Sequence, residues 1–230
     1  MFWFSILAIS YLIGIFPTGM LISRYYGIRI EDAGSGNVGA TNVARIIGKK
    51  AGLLTLLGDM TKGITATLIA RLLWNLFIQD TDIVSTTLLG KSLGSSFAMA
   101  LGGLFAVLGH CFSLPFNIPL LFNVTLPALR ALKGGKGVAT GLGVLLAAQP
   151  ILALTTTLLF IITFYFSRIV SLSSIVATTL MPIIYLFLNP NGEQFIPFAI
   201  IAIVITYRHS SNIKRLIEGT EKKFTSRKES

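Results

Sequence analysis

Uncharged apolar runs dominate this chain. Phe2 to Ser23 is 22 residues without a charge, and Gly137 to Ser167 is 31. A helix needs about 20 mostly apolar residues to cross the hydrocarbon core of a bilayer. Of the 230 residues 53% are hydrophobic and 12% charged, and mean hydropathy is +0.77. A water-soluble domain keeps roughly a quarter of its residues charged. The expected fold class is therefore all-α, a polytopic integral membrane protein whose main solvent is lipid.

The net charge of +10 comes from 19 Lys and Arg against 9 Asp and Glu. In a soluble domain that excess suggests nucleic acid. Here the basic residues sit at the ends of apolar runs, which is a topology pattern, so no nucleic-acid partner is expected. The single Cys111 excludes an internal disulfide and a multi-cysteine metal site. His110 and His209 are too far apart to form a local metal motif, and no metal is expected. The N-terminus is apolar from its second residue but lacks the charged start of a signal peptide, and its length suits a retained span.

Seven spans are expected, at about 2–23, 51–78, 92–114, 137–149, 151–167, 169–190 and 195–207, within a single domain 1–230. The run from Gly137 is either one over-long helix or two hinged at Gln149-Pro150, because proline removes a donor and kinks or ends a helix. Charge arbitrates. Arg24, Arg29, Arg45, Lys49 and Lys50 follow the first run; Arg130, Lys133 and Lys136 precede the long one, Arg168 follows it, and the tail from Arg208 is strongly basic. Sixteen of the 19 basic residues share one side only if the long run crosses twice. The positive-inside rule then puts the N-terminus outside and the C-terminus in the cytoplasm. Asp59 and Lys62 lie inside the second span, where each costs about 2.5–3.5 kcal/mol at the centre of a lone helix. Three apart, they share a face and can pair, as a packing pair or as part of a substrate path.

Three segments on the basic side carry possible chemistry. Gly34-Ser35-Gly36-Asn37-Val38-Gly39-Ala40-Thr41-Asn42 is followed by Arg45. It contains a formal G-x-G-x-x-G, but a dinucleotide site needs a preceding strand in a βαβ unit, and this stretch lies between two spans. What remains is the shared physics: bare backbone amides and a following helix N-terminus favour an anion. Ser35, Asn37, Thr41 and Asn42 add neutral hydrogen-bonding groups, and Arg45 can grip a phosphate bidentately. A flexible linker or a tight packing turn is the bland alternative. Lys133-Gly134-Gly135-Lys136-Gly137 opens the fourth span and suits a phosphate or phosphoanhydride; topogenic charge would explain its lysines but not its glycines. Arg208-His209-Ser210-Ser211-Asn212 follows the last span. His209 and Asn212 share a helix face, and a histidine can accept a proton near neutral pH. Lys222, Lys223, Arg227 and Lys228 in the tail suit anionic lipid headgroups.

Taken in order, GSGNVGATNVAR, KGGKGVAT and RHSSNIKRL resemble the three cytoplasmic motifs of the bacterial acyl-phosphate:glycerol-3-phosphate acyltransferases, the PlsY family. Ser171-Leu172-Ser173-Ser174, Gly58-Asp59, Lys62-Gly63 and Gly109-His110 match as well, so the likeness covers nearly the whole chain. It implies a seven-span enzyme of the bacterial cytoplasmic (inner) membrane, with its site on the cytoplasmic side and no cofactor. The substrates implied are acyl phosphate and glycerol 3-phosphate, the products 1-acylglycerol 3-phosphate and phosphate. The residues implied are Ser35, His209 and Asn212 for catalysis, with Arg45, Lys136 and Ser174 for substrate, to which the reading of the glycine loop adds Gly36, Asn37, Thr41 and Asn42. The soluble enzyme that forms acyl phosphate is a candidate docking partner. One departure stands out: 22 residues separate His110 from Lys133, a longer connection than the family's usual one, and Phe116 to Leu132 is largely apolar.

Acyl phosphate is an activated anhydride, so direct transfer needs mainly proximity and electrostatic stabilisation. Its proton acceptor is His209 or the substrate's own phosphate; a covalent route through Ser35 is the variant. The rival classes are a transporter of phosphorylated solutes, for which Asp59 and Lys62 would mark a path, and a scaffold, which leaves the glycine motifs idle.

Overall fold

Lipid tails are as apolar as leucine, so helices in a bilayer associate through close packing and polar contacts rather than through the hydrophobic effect. Their backbone groups must also be paired within each segment. Both consequences are visible in the computed structural model, which describes residues 2–78, 87–88, 91–92, 94–113, 134–190 and 192–224. Arg130, Lys133 and the apolar stretch 116–132 lie outside the described residues, as do Asp80, Asp82, Arg227 and Lys228.

Apart from a two-stranded ribbon, Thr87–Leu88 against Lys91–Ser92, every regular element among the described residues is helical. They are α1 (Phe2–Ile15), α2 (Thr18–Tyr25), a 3-10 turn (Ile30–Asp32), α3 (Ala40–Ile46), α4 (Lys49–Ile78), α5 (Ser95–Cys111), α6 (Val138–Ala148), α7 (Pro150–Ser167), α8 (Val170–Leu188), α9 (Phe195–Arg208) and α10 (Ser210–Ile217). Four stretches are long and apolar enough to cross a bilayer: Phe2–Tyr25, Lys49–Phe77, Pro150–Ser167 and Val170–Leu188. Ser95–Cys111, Val138–Ala148 and Phe195–Arg208 are shorter apolar helices.

Prolines set two of the breaks. Gln149 is non-helical (φ −147°, ψ 76°) and Pro150 opens α7, where its missing N–H was unpaired in any case. The first run, continuous by charge, is interrupted at Phe16-Pro17, where the Thr18 N–H donates to the Phe16 carbonyl at 3.0 Å.

Beside an apolar interior, polar side chains are buried and large apolar ones face outward, as lipid as solvent allows. Ser10, Thr55, Asp59, Lys62, Thr67, Thr140 and Ser173 are buried, whereas Phe4, Leu72, Leu154, Phe166, Phe187 and Ile203 are exposed. Gly63 lies against the Thr140 carbonyl and Gly143 against that of Met60, so α4 and α6 meet backbone to backbone. An apolar cluster of Val144, Leu152, Tyr185, Phe198 and Ile201 joins α6, α7, α8 and α9. At one end of the bundle the Gln194 side chain donates to the Ser96 carbonyl (2.7 Å) and accepts from Gln149 (2.6 Å). At the other end the last turns of α5 and α9 face the first turns of α6 and α8.

Candidate active site

A helix leaves its last carbonyls unpaired, and at this end of the bundle the glycine segment uses one of them. The Gly135 N–H donates to the His110 carbonyl of α5 at 3.0 Å. Arg208, closing α9, donates from Nε to Gly135 O (3.0 Å) and from Nη2 to Gly134 O (2.8 Å). A Cβ on Gly134 would collide with the Cys111 carbonyl and one on Gly135 with the His110 ring, while Gly137 sits at φ +83°. Bare backbone is thus required for close packing and a left-handed turn, which presents Lys136 at the start of α6.

Lys136 is half-buried, and its Nζ donates to Asn212 Oδ1 at 2.6 Å. Burial is the main cause that pushes its ammonium down to about 8, aided by Arg215, Arg208 and Arg45 and opposed by Glu221. Asn212 is buried on α10, and its Nδ2 donates to Glu221 Oε1 at 2.6 Å. His209 is buried, with Nδ1 2.7 Å from the Ile205 carbonyl. A carbonyl only accepts, so Nδ1 carries the proton and Nε2 is left as an acceptor. Burial pushes the His209 imidazole down to about 4, with Lys136 and Arg208 adding to it and the Ile205 carbonyl and Glu221 opposing. It is neutral at physiological pH.

The first glycine loop is held from within. Asn42, buried, donates to the Ala33 and Asn37 carbonyls (3.0 and 2.9 Å), and its Oδ1 accepts from the Ser35 N–H (3.0 Å). Asn37 Oδ1 accepts from the Gly39 N–H (2.8 Å). The Asn42 amide is therefore spent on shaping the loop, with Gly34 and Gly36 at φ +64° and +66°. Ser35 and Arg45 are exposed, Gly36 and Thr41 half-buried. Arg45 has no ion pair among the described residues. Val38 of this loop and Gly135 line one small cavity with Asp59, Lys62 and His110, so the first two motifs adjoin. Ser174 is buried in the first turns of α8, its hydroxyl donating to Val170 O (2.9 Å).

Lys136, His209, Asn212 and Arg208 are thus gathered, with Arg45 near enough to act on Lys136. Ser35 and Gly36 belong to a separate loop at the same end and Thr41 to the first turn of α3 that follows it; Asn37, Asn42 and Ser174 have side-chain atoms engaged internally. Glu221 and Ser171, which bond to each other (2.6 Å), were not singled out from the sequence as site residues. Ser171 lay in the matching Ser171–Ser174 stretch without a role of its own; for Glu221 an acidic residue in a basic tail was the only signal, and spacing gave it no partner. Among the described residues no group of three or more His, Cys, Asp or Glu side chains is placed to hold a metal ion.

Asp59 and Lys62 pair at 2.9 Å, 4% and 6% exposed. Lys62 also donates to the Phe16 carbonyl at the α1–α2 break (3.1 Å) and lies 2.6 Å from His110 Nδ1. Asp59→Ala leaves the ammonium without its carboxylate. The expected loss is about 3–5 kcal/mol of stability, largely restored in the Asp59→Ala/Lys62→Met double variant. Denaturation curves in detergent check both; an additive double variant would contradict the pairing.

The chain matches the family model described as glycerol-3-phosphate acyltransferase over residues 4–219. It is similar to the glycerol-3-phosphate acyltransferase of Trichlorobacter lovleyi, 41% identical over 225 residues, covering 97% of each chain. That of Neisseria meningitidis serogroup C is 39% identical, covering 97% of this chain and 98% of the relative. Among solved structures it is similar to PlsY (YgiH), an integral membrane glycerol 3-phosphate acyltransferase, in its glycerol 3-phosphate form. That match has a TM-score of 0.74 and 34% identity, covering 97% of this chain and 96% of the other. The lysophosphatidic acid form of PlsY gives a TM-score of 0.72 at the same identity, covering 97% and 95%.

Proposed function

This chain belongs to the glycerol-3-phosphate acyltransferase family, and on that footing we propose that it transfers a fatty acyl group from acyl phosphate to the 1-hydroxyl of sn-glycerol 3-phosphate. The products are 1-acyl-sn-glycerol 3-phosphate (lysophosphatidic acid) and inorganic phosphate, a step of bacterial phospholipid synthesis. The observation that carries this reading is the charged surround of Lys136, on which Arg45, Arg208 and Arg215 act together with the Glu221 carboxylate, at the end of an apolar helix bundle. Such a surround suits two phosphate-bearing substrates that would otherwise repel each other.

In the proposed step the glycerol oxygen attacks the acyl carbonyl carbon, the bond from that carbon to the phosphate oxygen breaks, and phosphate leaves with its electron pair. Arg45 and Lys136 hold the phosphates, and the Ser35–Asn42 loop offers Ser35, Thr41 and the Gly36 amide to one of them. Ser174, its proton committed to Val170, has lone pairs free to accept. His209, pushed down to about 4, is a weaker base than a phosphate monoester, whose second pKa is about 6. This favours a substrate phosphate as proton acceptor, with neutral His209 and Asn212 orienting the reacting groups. No hydrogen bond joins Ser35 Oγ to His209 among the described residues, which favours direct transfer over an acyl-Ser35 intermediate.

We read the seven apolar helical segments as seven spans of a single domain, N-terminus outside, in a bacterial inner membrane, with the site in the cytoplasm. Sixteen of 19 basic residues on that side support the orientation. Anionic lipids meet the basic tail, and the acyl-phosphate-forming enzyme docks at the same face.

Purified protein in detergent, given palmitoyl phosphate and glycerol 3-phosphate, is expected to release lysophosphatidic acid. Product without a vesicle removes transport as the explanation; no product with acyl phosphate, but turnover with acyl-CoA, would overturn the donor. Two further results are expected in this assay. The kcat/KM for glycerol 3-phosphate reports the free enzyme and should fall as pH rises through about 8, where Lys136 loses its proton; a profile flat to pH 9.5 contradicts that role. Arg45→Lys, which loses the bidentate fork, should lower kcat/KM on the order of tenfold or more, the equivalent of about 1.4 kcal/mol. Near-normal kinetics would leave Arg45 only a topological role.

A further inference from the structure

The chain beyond α10 folds back onto the site. Gly219 (φ +68°) turns it, the Thr220 N–H donates to the Arg215 carbonyl (2.8 Å), and the Phe224 N–H donates to the Arg168 carbonyl between α7 and α8 (2.7 Å). The Phe224 ring lies edge-on to Phe164, centroids 6.1 Å apart. This return path carries the Glu221 side chain, 9% exposed, into the space between α8 and α10.

Three donors converge on that carboxylate. Ser171 Oγ from the first turn of α8 and Asn212 Nδ2 from α10 both reach Oε1 at 2.6 Å, and Arg215 Nε reaches Oε2 at 2.6 Å. Burial pushes the Glu221 carboxyl up, but these donors outweigh it and hold it below the usual range. The carboxylate is ionised and accepts only. At the far side of Asn212, Oδ1 receives Lys136 Nζ, an ammonium that donates only. The Asn212 amide therefore bridges a pure acceptor and a pure donor, and one of its two orientations satisfies both. Flipped, its Nδ2 would face an ammonium and its Oδ1 a carboxylate.

We propose that Glu221 is a positioning residue of the acyl-transfer site: its carboxylate sets the Asn212 amide with its oxygen toward Lys136 and ties the start of α8 to α10. This rests on the activity proposed above. Of the charges that act on Lys136, Glu221 is the one anion beside Arg45, Arg208 and Arg215, so the site stays cationic for substrate while its central amide is fixed. Glu221→Gln keeps the shape but makes the group ambivalent. Either its Nε2 opposes the Arg215 donor, or it turns toward Asn212 and drives that amide to flip.

The test is a double-variant cycle in detergent with palmitoyl phosphate and glycerol 3-phosphate. The wild type, E221Q, N212A and E221Q/N212A are compared by kcat/KM for glycerol 3-phosphate and by melting temperature. E221Q is expected to lose on the order of tenfold or more at an unchanged melting temperature, as misplacing a substrate-positioning group does. The double variant should be no worse than N212A alone, because Glu221 acts through Asn212. Wild-type kinetics in E221Q, or a loss that multiplies with that of N212A, would overturn the proposal while leaving the activity intact. A wild type that makes no product overturns both. If E221Q melts lower, E221D goes through the same cycle with the same criterion: it keeps the charge but shortens the arm that spans three donors.

Discussion

Lys136→Met is expected to lower kcat/KM for glycerol 3-phosphate by about 10²–10³-fold, the usual cost of deleting one preorganised charge-stabilising donor from a partly dry site. Methionine fills similar volume, so packing at the start of α6 should survive and the melting temperature should change little. The argument is local. The Lys136 ammonium is half-buried, held by Asn212 at 2.6 Å, and surrounded by arginines that already disfavour its charge. An incoming dianion relieves that repulsion, and methionine has nothing to offer it. Lys136→Arg should not rescue, since a planar five-donor fork does not fit a position shaped for a point charge. A Lys136→Met enzyme within threefold of wild type would reduce this lysine to a topological signal.

Gly134→Ala should be as damaging, although it adds one methyl group and removes no polar atom. The new Cβ meets the Cys111 backbone carbonyl, which no rotamer change can move aside. The Gly134–Lys136 segment must lift off α5, which strains the Gly135-to-His110 bond and both Arg208 contacts. Lys136 follows directly, and a shift of about 1 Å in a positioned group can cost on the order of 10²-fold. Gly27→Ala is the control. Gly27, unlike Gly134, has a positive φ (+72°) but nothing within 4 Å of an added Cβ, so it should cost about 1–2 kcal/mol of local strain and leave turnover near normal. Equal losses at both positions would mean that displacement of the Gly134–Lys136 segment is not what explains the effect.

Part of this could be read residue by residue. Asp59 and Lys62, three apart, were expected on one face and lie 2.9 Å apart. Pro150 marked a break that the charge pattern also demanded, and the chain breaks there. The same rule applied to Pro17 locates the α1–α2 break, which an uncharged run by itself conceals. Other residues acquired roles that the sequence did not show. The glycines around Lys136, read as suited to a phosphate, also pack backbone to backbone against α5. Asn42, a candidate ligand group by type, spends its amide inside the loop. Glu221 carried no signal beyond its sign.

Hydropathy, helix breaks and charge are properties of short windows, and a bilayer converts them into helical segments with basic ends whatever the packing. The sequence alone therefore determined the membrane class, most of the helix ends and the three segments proposed to bear the chemistry. Which atoms meet was decided by packing. Arg208 reaches Gly134 across 74 residues and Ser171 reaches Glu221 across 50, separations at which no periodicity links one residue to another. The first exists because glycines let the helix ends come close enough to share donors and acceptors, the second because the chain turns back at Gly219 beyond α10.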